Sequence, residues 1–565
     1  MTEYLESMLP MPAVPHSNYR RWWLFRRKTW IFIMGAALFV CFMLMREYMQ
    51  VPRSPRRMYI FEKPVSMGIL PENPRDDVSK MEVQLPFKRC TELPIPDSYW
   101  NLAQDSPAFV SIPQTTDIEI DESICVRVVV PAKTTQMPLK FAPFPGAPWD
   151  SILLDLVGQN TNISVPVPLE KTDHTSNFYR DKVHIYEADV VLRDVDVYRP
   201  QGYIEYRHAM WNAEGFLDPQ PFNPERLIIR PDLQITVTDN EQLSPYSLHK
   251  YLDMPLCTEP NADGRWIPIE SLPFDPQQVP PPDSHGLVWL PYKCRLQRIA
   301  YTDFAKCLAQ KYPVVHWYGD SNTRRALKKV ATLGKWCVDN PDSLVCKCND
   351  NMEPFSEYGA NHRLSAFDLD PEAGTTSMAD PFSALPATKP RIVTFKWDGL
   401  TTRNAPPWAD YFIPNFEQKL GHPMLAILGM TNWDTAFETH AFFANEADRL
   451  TDKINTTYAL SNNQPPTDIV LRTGQYYCCT SDMDPYWKRR YSRLRNHYFD
   501  KTLIETFKNK LGHERRVMVW DVARITERRP YNLRRNDVLT CEANHVRSQL
   551  VEIENQVLMN ALCNS

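Results

Sequence analysis

The sequence predicts a multidomain chain: a single N-terminal transmembrane helix, then a β-sandwich, then an α/β/α domain on a parallel sheet. Three observations predict it. Residues 29–45 are an uncharged apolar run of the length needed to cross a thin bilayer. Residues 86–240 alternate apolar and polar positions in short segments broken by Pro, Asp, Asn and Gly, the period of half-buried strands. From residue 301, apolar strands alternate with longer helix-compatible stretches, which implies parallel strands joined by helical crossovers.

In chain order, residues 1–28 read as a cytoplasmic tail, because Arg20, Arg21, Arg26, Arg27 and Lys28 precede the apolar run. Arg46, Arg53, Arg56 and Arg57 follow it, so the charge bias is modest. The run has no small-residue cleavage site after it, which favours a signal anchor at 29–46 over a cleaved leader. Residues 47–85, rich in Pro and charge, read as a stalk. The expected location is the Golgi or endoplasmic reticulum membrane as a single-pass type II protein, with everything after the anchor lumenal. Sequons at Asn162 and Asn455 would be usable there.

Composition agrees. Cys41 lies in the apolar run and the other 12 of the 13 cysteines lie beyond it, an even number suited to disulfides in an oxidising compartment. Cys337, Cys346 and Cys348 with Cys478 and Cys479 could suggest zinc, but no CxxC pair accompanies them, so no metal is expected. A net charge of −5 gives no global attraction for nucleic acid. Fifty prolines against 17 glycines point to strands and ordered loops.

The sandwich is expected over 86–240 and a Pro-rich connector over 241–300, anchored by Trp266, Trp289, Cys257 and Cys294. The α/β domain then takes 301–565, with helices predicted over 322–334 and 435–453. In an open parallel sheet the site forms beyond the C-terminal strand edges. Those edges carry Gly319-Asp320-Ser321, Trp397-Asp398-Gly399 and Gly429-Met430-Thr431-Asn432. Ser321 falls on a strand-to-helix turn, where a helix N-terminus can stabilise an oxyanion. His545, with Glu542 three residues before it, could supply the base and its orienting carboxylate.

On the run GDSNTRRALKKV after an apolar strand, with a histidine loop near the C-terminus, residues 86–565 resemble the SGNH hydrolase superfamily and, within it, the PC-esterase branch. That branch includes the plant trichome-birefringence-like polysaccharide O-acetyltransferases. It also includes the animal neurexophilin-and-PC-esterase family, whose immunoglobulin- or filamin-like domain precedes the esterase-like one. The resemblance implies Ser321 as nucleophile and oxyanion donor, Gly399 and Asn432 as the other oxyanion groups, and His545 as base. Glu542 stands where the family has aspartate, with Asp537 or Asp521 as fallback. Asn432 lies one residue further from its glycine than the family spacing. Arg324, where the branch also has arginine, would clamp a substrate carboxylate or phosphate.

The expected activity is lumenal O-acetyl transfer to a glycan through an acyl-serine, with acetyl-coenzyme A as a possible donor. The alternatives are a glycan O-acetyl esterase of the same mechanism and a non-catalytic glycan- or protein-binding module. A glycosyltransferase would use a D-x-D pair such as Asp194/Asp196, Asp368/Asp370 or Asp482/Asp484. The basic stretches 488–495 and 515–535 read as a solvated face or as a lure for acidic sugars or the phosphates of an acyl-coenzyme A donor. Tyr476, Tyr477, Trp433 and Trp397 stand at strand ends, where aromatic rings serve either a core or a sugar face.

Overall fold

A computed structural model of the chain describes residues 89–132, 147–172, 182–207, 211, 225–239, 244–337, 364–386, 388–396, 399–400, 407–458, 465–476, 492–530 and 546–565. The described residues belong to one compact unit. Two features of the expected fold class are corrected. Among the described residues no helix is long and apolar enough to cross a membrane, and the expected anchor at 29–46 lies outside them. The large sheet is mixed rather than parallel.

The first domain is a two-sheet sandwich. One sheet has β1 (Phe109–Ser111), β3 (Ser123–Pro131), β6 (Glu170–Lys171) and β7 (Val183–Val191) in the order β1-β3-β7-β6. The other has β2 (Asp117–Glu119), β4 (Ser151–Gly158), β5 (Ser164–Pro166), β8 (Asp196–Tyr206) and β10 (Ile235–Thr238) in the order β2-β10-β8-β4-β5, with β9 (Glu225–Arg226) on β8. Ile124, Val126, Val128 and Val130 of β3 face the inter-sheet core, whereas Val129 packs outward with Val183 and Ile185. Both faces being covered explains an apolar run without strict alternation. Arg127, buried inside β3, is satisfied by the carbonyls of Cys90, Leu93 and Pro94 and by Glu187, and the Cys90–Cys125 disulfide ties the same entry segment to the strand.

The connector is more ordered than a loop. It holds a hairpin of β11 (Gly264–Pro268) and β12 (Leu287–Pro291), and Cys257 is bonded to Cys294. Trp266, Leu287 and Trp289 face the core of the second domain, while Ile267, Val288 and Leu290 face the sandwich core. A period of two thus sends alternate side chains into two different cores.

The second domain is a three-layer α/β/α structure. Its strands are β13 (Val314–Gly319), β14 (Leu364–Asp370), β15 (Thr375–Ala379), β16 (Arg391–Lys396), β17 (Leu425–Gly429), β18 (Asp468–Arg472) and β19 (Val517–Trp520), in the order β15-β14-β16-β13-β17-β18-β19. β16, β13, β17, β18 and β19 are mutually parallel, and β14 runs antiparallel to both β16 and β15. The helices are α1 (Tyr301–Lys311), α2 (Ser321–Ala331), α3 (Trp408–Asn415), α4 (Thr431–Phe437), α5 (His440–Thr457), α6 (Arg493–Leu511), α7 (Val522–Glu527) and α8 (Ser548–Asn564). On one face Val315, Trp317, Ile427 and Val470 pack against α1, α2 and α8. On the other, Tyr318, Phe395 and Leu428 pack against α3, α5 and α6. A Cys307–Cys563 disulfide joins α1 to the end of α8.

Candidate active site

Numbered by chain position, the parallel strands run 2-1-3-4-5, from β16 through β13, β17 and β18 to β19. In that order the connections reverse direction between β13 and β17, and a crevice opens beyond their C-terminal ends. Gly319 and Gly429 are paired there, the last residues of the two strands. Neither tolerates a side chain: a Cβ on Gly319 would lie 2.2 Å from the Gly429 carbonyl oxygen, and one on Gly429 would lie 2.3 Å from Thr323 Oγ1. Two bare strand ends let the first turn of α2 settle directly over the sheet.

Asp320 caps that helix. Its Oδ1 accepts from the Thr323 backbone N–H and hydroxyl, each at 2.9 Å, and its Oδ2 accepts from Asn432 Nδ2 at 2.6 Å. Asn432, near the start of α4, accepts from the Gln475 N–H at 2.7 Å through Oδ1. The loops after β13, β17 and β18 are thereby tied into one buried network. One Nδ2 hydrogen of Asn432 goes to Asp320, and the amide carries a second. Ser321 is half-buried at the first position of α2.

The remaining sequence-predicted residues divide. Gly399 abuts α4, since a Cβ there would lie 2.4 Å from Asp434 Oδ2, which also accepts from the Leu400 N–H at 2.5 Å. His545, Glu542 and Asp537 lie outside the described residues, as do Trp397 and Tyr477. Val546 donates its N–H to Asn322 Oδ1 at 3.3 Å, and its carbonyl accepts from Arg325 at 2.8 and 3.1 Å. Lys329 holds Ser548 and Glu552 at the start of α8. Arg325 and Lys329 fasten the C-terminal segment beside the serine turn. Arg324 is buried, with Nη1 donating to the Gly319 carbonyl at 2.8 Å, so part of its fork serves the turn itself. Asp521 caps α7 and pairs with Arg524.

Sequence reasoning missed Asp500 on α6. Buried, it accepts from Thr431 Oγ1 at 2.7 Å and from the Gly474 N–H at 2.9 Å. Burial pushes its carboxyl up to about 7 against those hydrogen bonds, which act to lower it. Nothing in the local pattern distinguishes it from a surface helix acid. The basic stretches are also re-read: Arg495, Arg515 and Arg529 are buried and donate to Thr435 O, Tyr458 O and Asp283 respectively. They are internal struts, because a guanidinium can serve several carbonyls at once.

The D-x-D pairs and cysteines have structural partners. Asp194 accepts from Tyr292, Asp196 holds the turn at Asn160 and Thr161, and Asp368 and Asp370 pair with Arg391 and Lys389. Asp482 and Asp484 lie outside the described residues. Cys337 is disulfide-bonded, which removes it from a zinc set. Among the described residues one group of candidate metal ligands occurs, Cys90, Cys125 and Glu187, and its two cysteines form a disulfide. Asn162 is exposed on the β4–β5 turn, and Asn455 is half-buried in the last turn of α5. No family model matches this chain, and no curated protein matches it.

Proposed function

We propose that the chain is a serine-dependent acyl-transfer enzyme, most concretely an O-acetyltransferase acting on glycan hydroxyls. The observation that carries this reading is the position of Ser321. It stands on a helix N-terminus at the crevice of a 2-1-3-4-5 sheet, one residue from Asp320, which is tied to Asn432, and one residue from Asn322, which receives Val546.

In this reading Ser321 Oγ attacks the carbonyl of an acyl donor while His545 takes its proton. The Ser321 N–H and the second Nδ2 hydrogen of Asn432 stabilise the oxyanion, with Gly399 as a further donor. The leaving group departs with the proton and an acyl-serine remains. His545 then removes the proton of an acceptor hydroxyl, whose oxygen takes the acyl group and releases the serine. A glycan acceptor gives transfer and water gives ester hydrolysis, so the esterase alternative differs only in what the pocket admits. Acetyl-coenzyme A suits the donor role, and the disulfides support an oxidising compartment of the secretory pathway.

The test is labelling with a serine-directed fluorophosphonate probe. Wild type should label, and both Ser321→Ala and His545→Ala should lose at least nine-tenths of the signal. Transfer of labelled acetyl from acetyl-coenzyme A to a glycan should fall equally. Unchanged labelling in Ser321→Ala would rule the mechanism out, and no labelling in wild type would favour the non-catalytic binding module.

A further inference from the structure

A cavity of about 560 Å³ opens beyond the ends of β18 and β19, on the same sheet edge as Ser321. Its walls come from Gly474 and Tyr476 after β18, from α6, and from Pro166 and Pro168 of the sandwich, so it lies between the two domains. Such a volume and such a position are typical of small-ligand sites. Gly474 in its wall lies beside Asn432, since a Cβ on Gly474 would lie 3.0 Å from Asn432 Oδ1.

Two features define what would fit. Asn496, 5% exposed, lines the cavity, and its Oδ1 has no hydrogen-bond partner among the described residues. A buried acceptor left so is costly, and a ligand hydroxyl would satisfy it. The lining also carries five carboxyl and five Lys or Arg side chains, and the arginines are already matched: Arg493 with Asp155 and Glu527, Arg524 with Asp521, Arg528 with Asp263. Burial lowers the His497 imidazole from its usual range. Matched in this way, the arginines present N–H donors beside carboxylate acceptors rather than unpaired charge. Hydroxyl groups, each able to donate and accept, match that pattern, and the Tyr476 ring at the wall offers an apolar contact.

We infer that this interdomain cavity binds the acceptor as a neutral, polyhydroxylated carbohydrate, with Asn496 as a specificity-determining contact. The role of the bound sugar rests on the acyl-transfer reading; its binding does not. The full chain should be titrated with neutral tetrasaccharides of glucose, xylose, mannose and galactose, and with tetragalacturonate as the acidic counterpart, by calorimetry and saturation-transfer NMR. At least one neutral tetrasaccharide should bind, and tetragalacturonate should bind at least tenfold more weakly. Asn496→Leu should weaken binding at least tenfold. Ile504→Trp, which fills the cavity from the half-buried face of α6 and keeps the test open if Asn496→Leu fails to fold, should do the same. Ser321→Ala should bind as wild type does. Binding by no neutral sugar, preference for the acidic one, or wild-type binding by a folded Ile504→Trp overturns the inference. Sugar binding without probe labelling of Ser321 would defeat the acyl-transfer reading and leave the cavity standing, and labelling without sugar binding would do the reverse.

Discussion

Asp320 shows how completely one side chain beside the candidate nucleophile is committed to structure. Both of its oxygens are occupied, one by the first turn of α2 and the other by Asn432. Asp320→Ala therefore removes a helix cap and orphans a buried amide, and should cost roughly 2–4 kcal/mol in chemical denaturation. Ser321→Ala should leave stability within about 0.5 kcal/mol while abolishing probe labelling. Asp500 gives a pH signature. Its carboxyl titrates near 7 when folded and near the ordinary value of about 4 when unfolded, so between those values the folded state holds the extra proton and stability falls as pH rises. Asp500→Asn keeps an acceptor for Thr431 and Gly474 without that titration. Relative to wild type it should gain roughly 2–3 kcal/mol between pH 5 and pH 8, measured by urea unfolding at each pH. The serine turn was legible in the sequence because an apolar run followed by Gly-Asp-Ser is a local signal. The roles of Asn432 and Asp500 depend on partners 26 to 112 residues away, and no local pattern encodes them.

Among the elements, α2 depends on the strand beside its own. With Thr323 packed where a Gly429 side chain would stand, Gly429→Ala should push the first turn of α2 off the sheet. It should destabilise the chain by about 1–3 kcal/mol and reduce labelling of Ser321 without touching the serine itself. Helix α2, predicted over 322–334 and observed over Ser321–Ala331, was readable from periodicity. Helix 435–453 was not read correctly: two helices, α4 and α5, meet there, and Thr439 caps the second by accepting from the Phe442 N–H. Threonine is an ordinary helix residue until its hydroxyl finds that partner. The β14–β15 hairpin was missed because β15, Thr-Thr-Ser-Met-Ala, is an edge strand with no apolar alternation to announce it.

At the scale of the molecule, the β11–β12 hairpin joins what the sequence presents as two domains and a linker. Trp266 is buried in the second domain's core and donates its indole N–H to Ile525 O at 2.8 Å, while its strand neighbour Ile267 belongs to the sandwich core. Trp266→Ala should cost about 3–5 kcal/mol. It should also separate one cooperative unfolding transition into two, visible when sandwich and α/β signals no longer coincide in a denaturant titration. The linker's tryptophans were visible in the sequence as anchors; that they face away from a second apolar row could not be seen, because the row's destination is another fold's interior. A ribbon shared in this way has a consequence for inheritance. A recombination breakpoint anywhere in the hairpin would strand tryptophans or valine and leucine in water, so the two modules can be traded between genes only together with this piece.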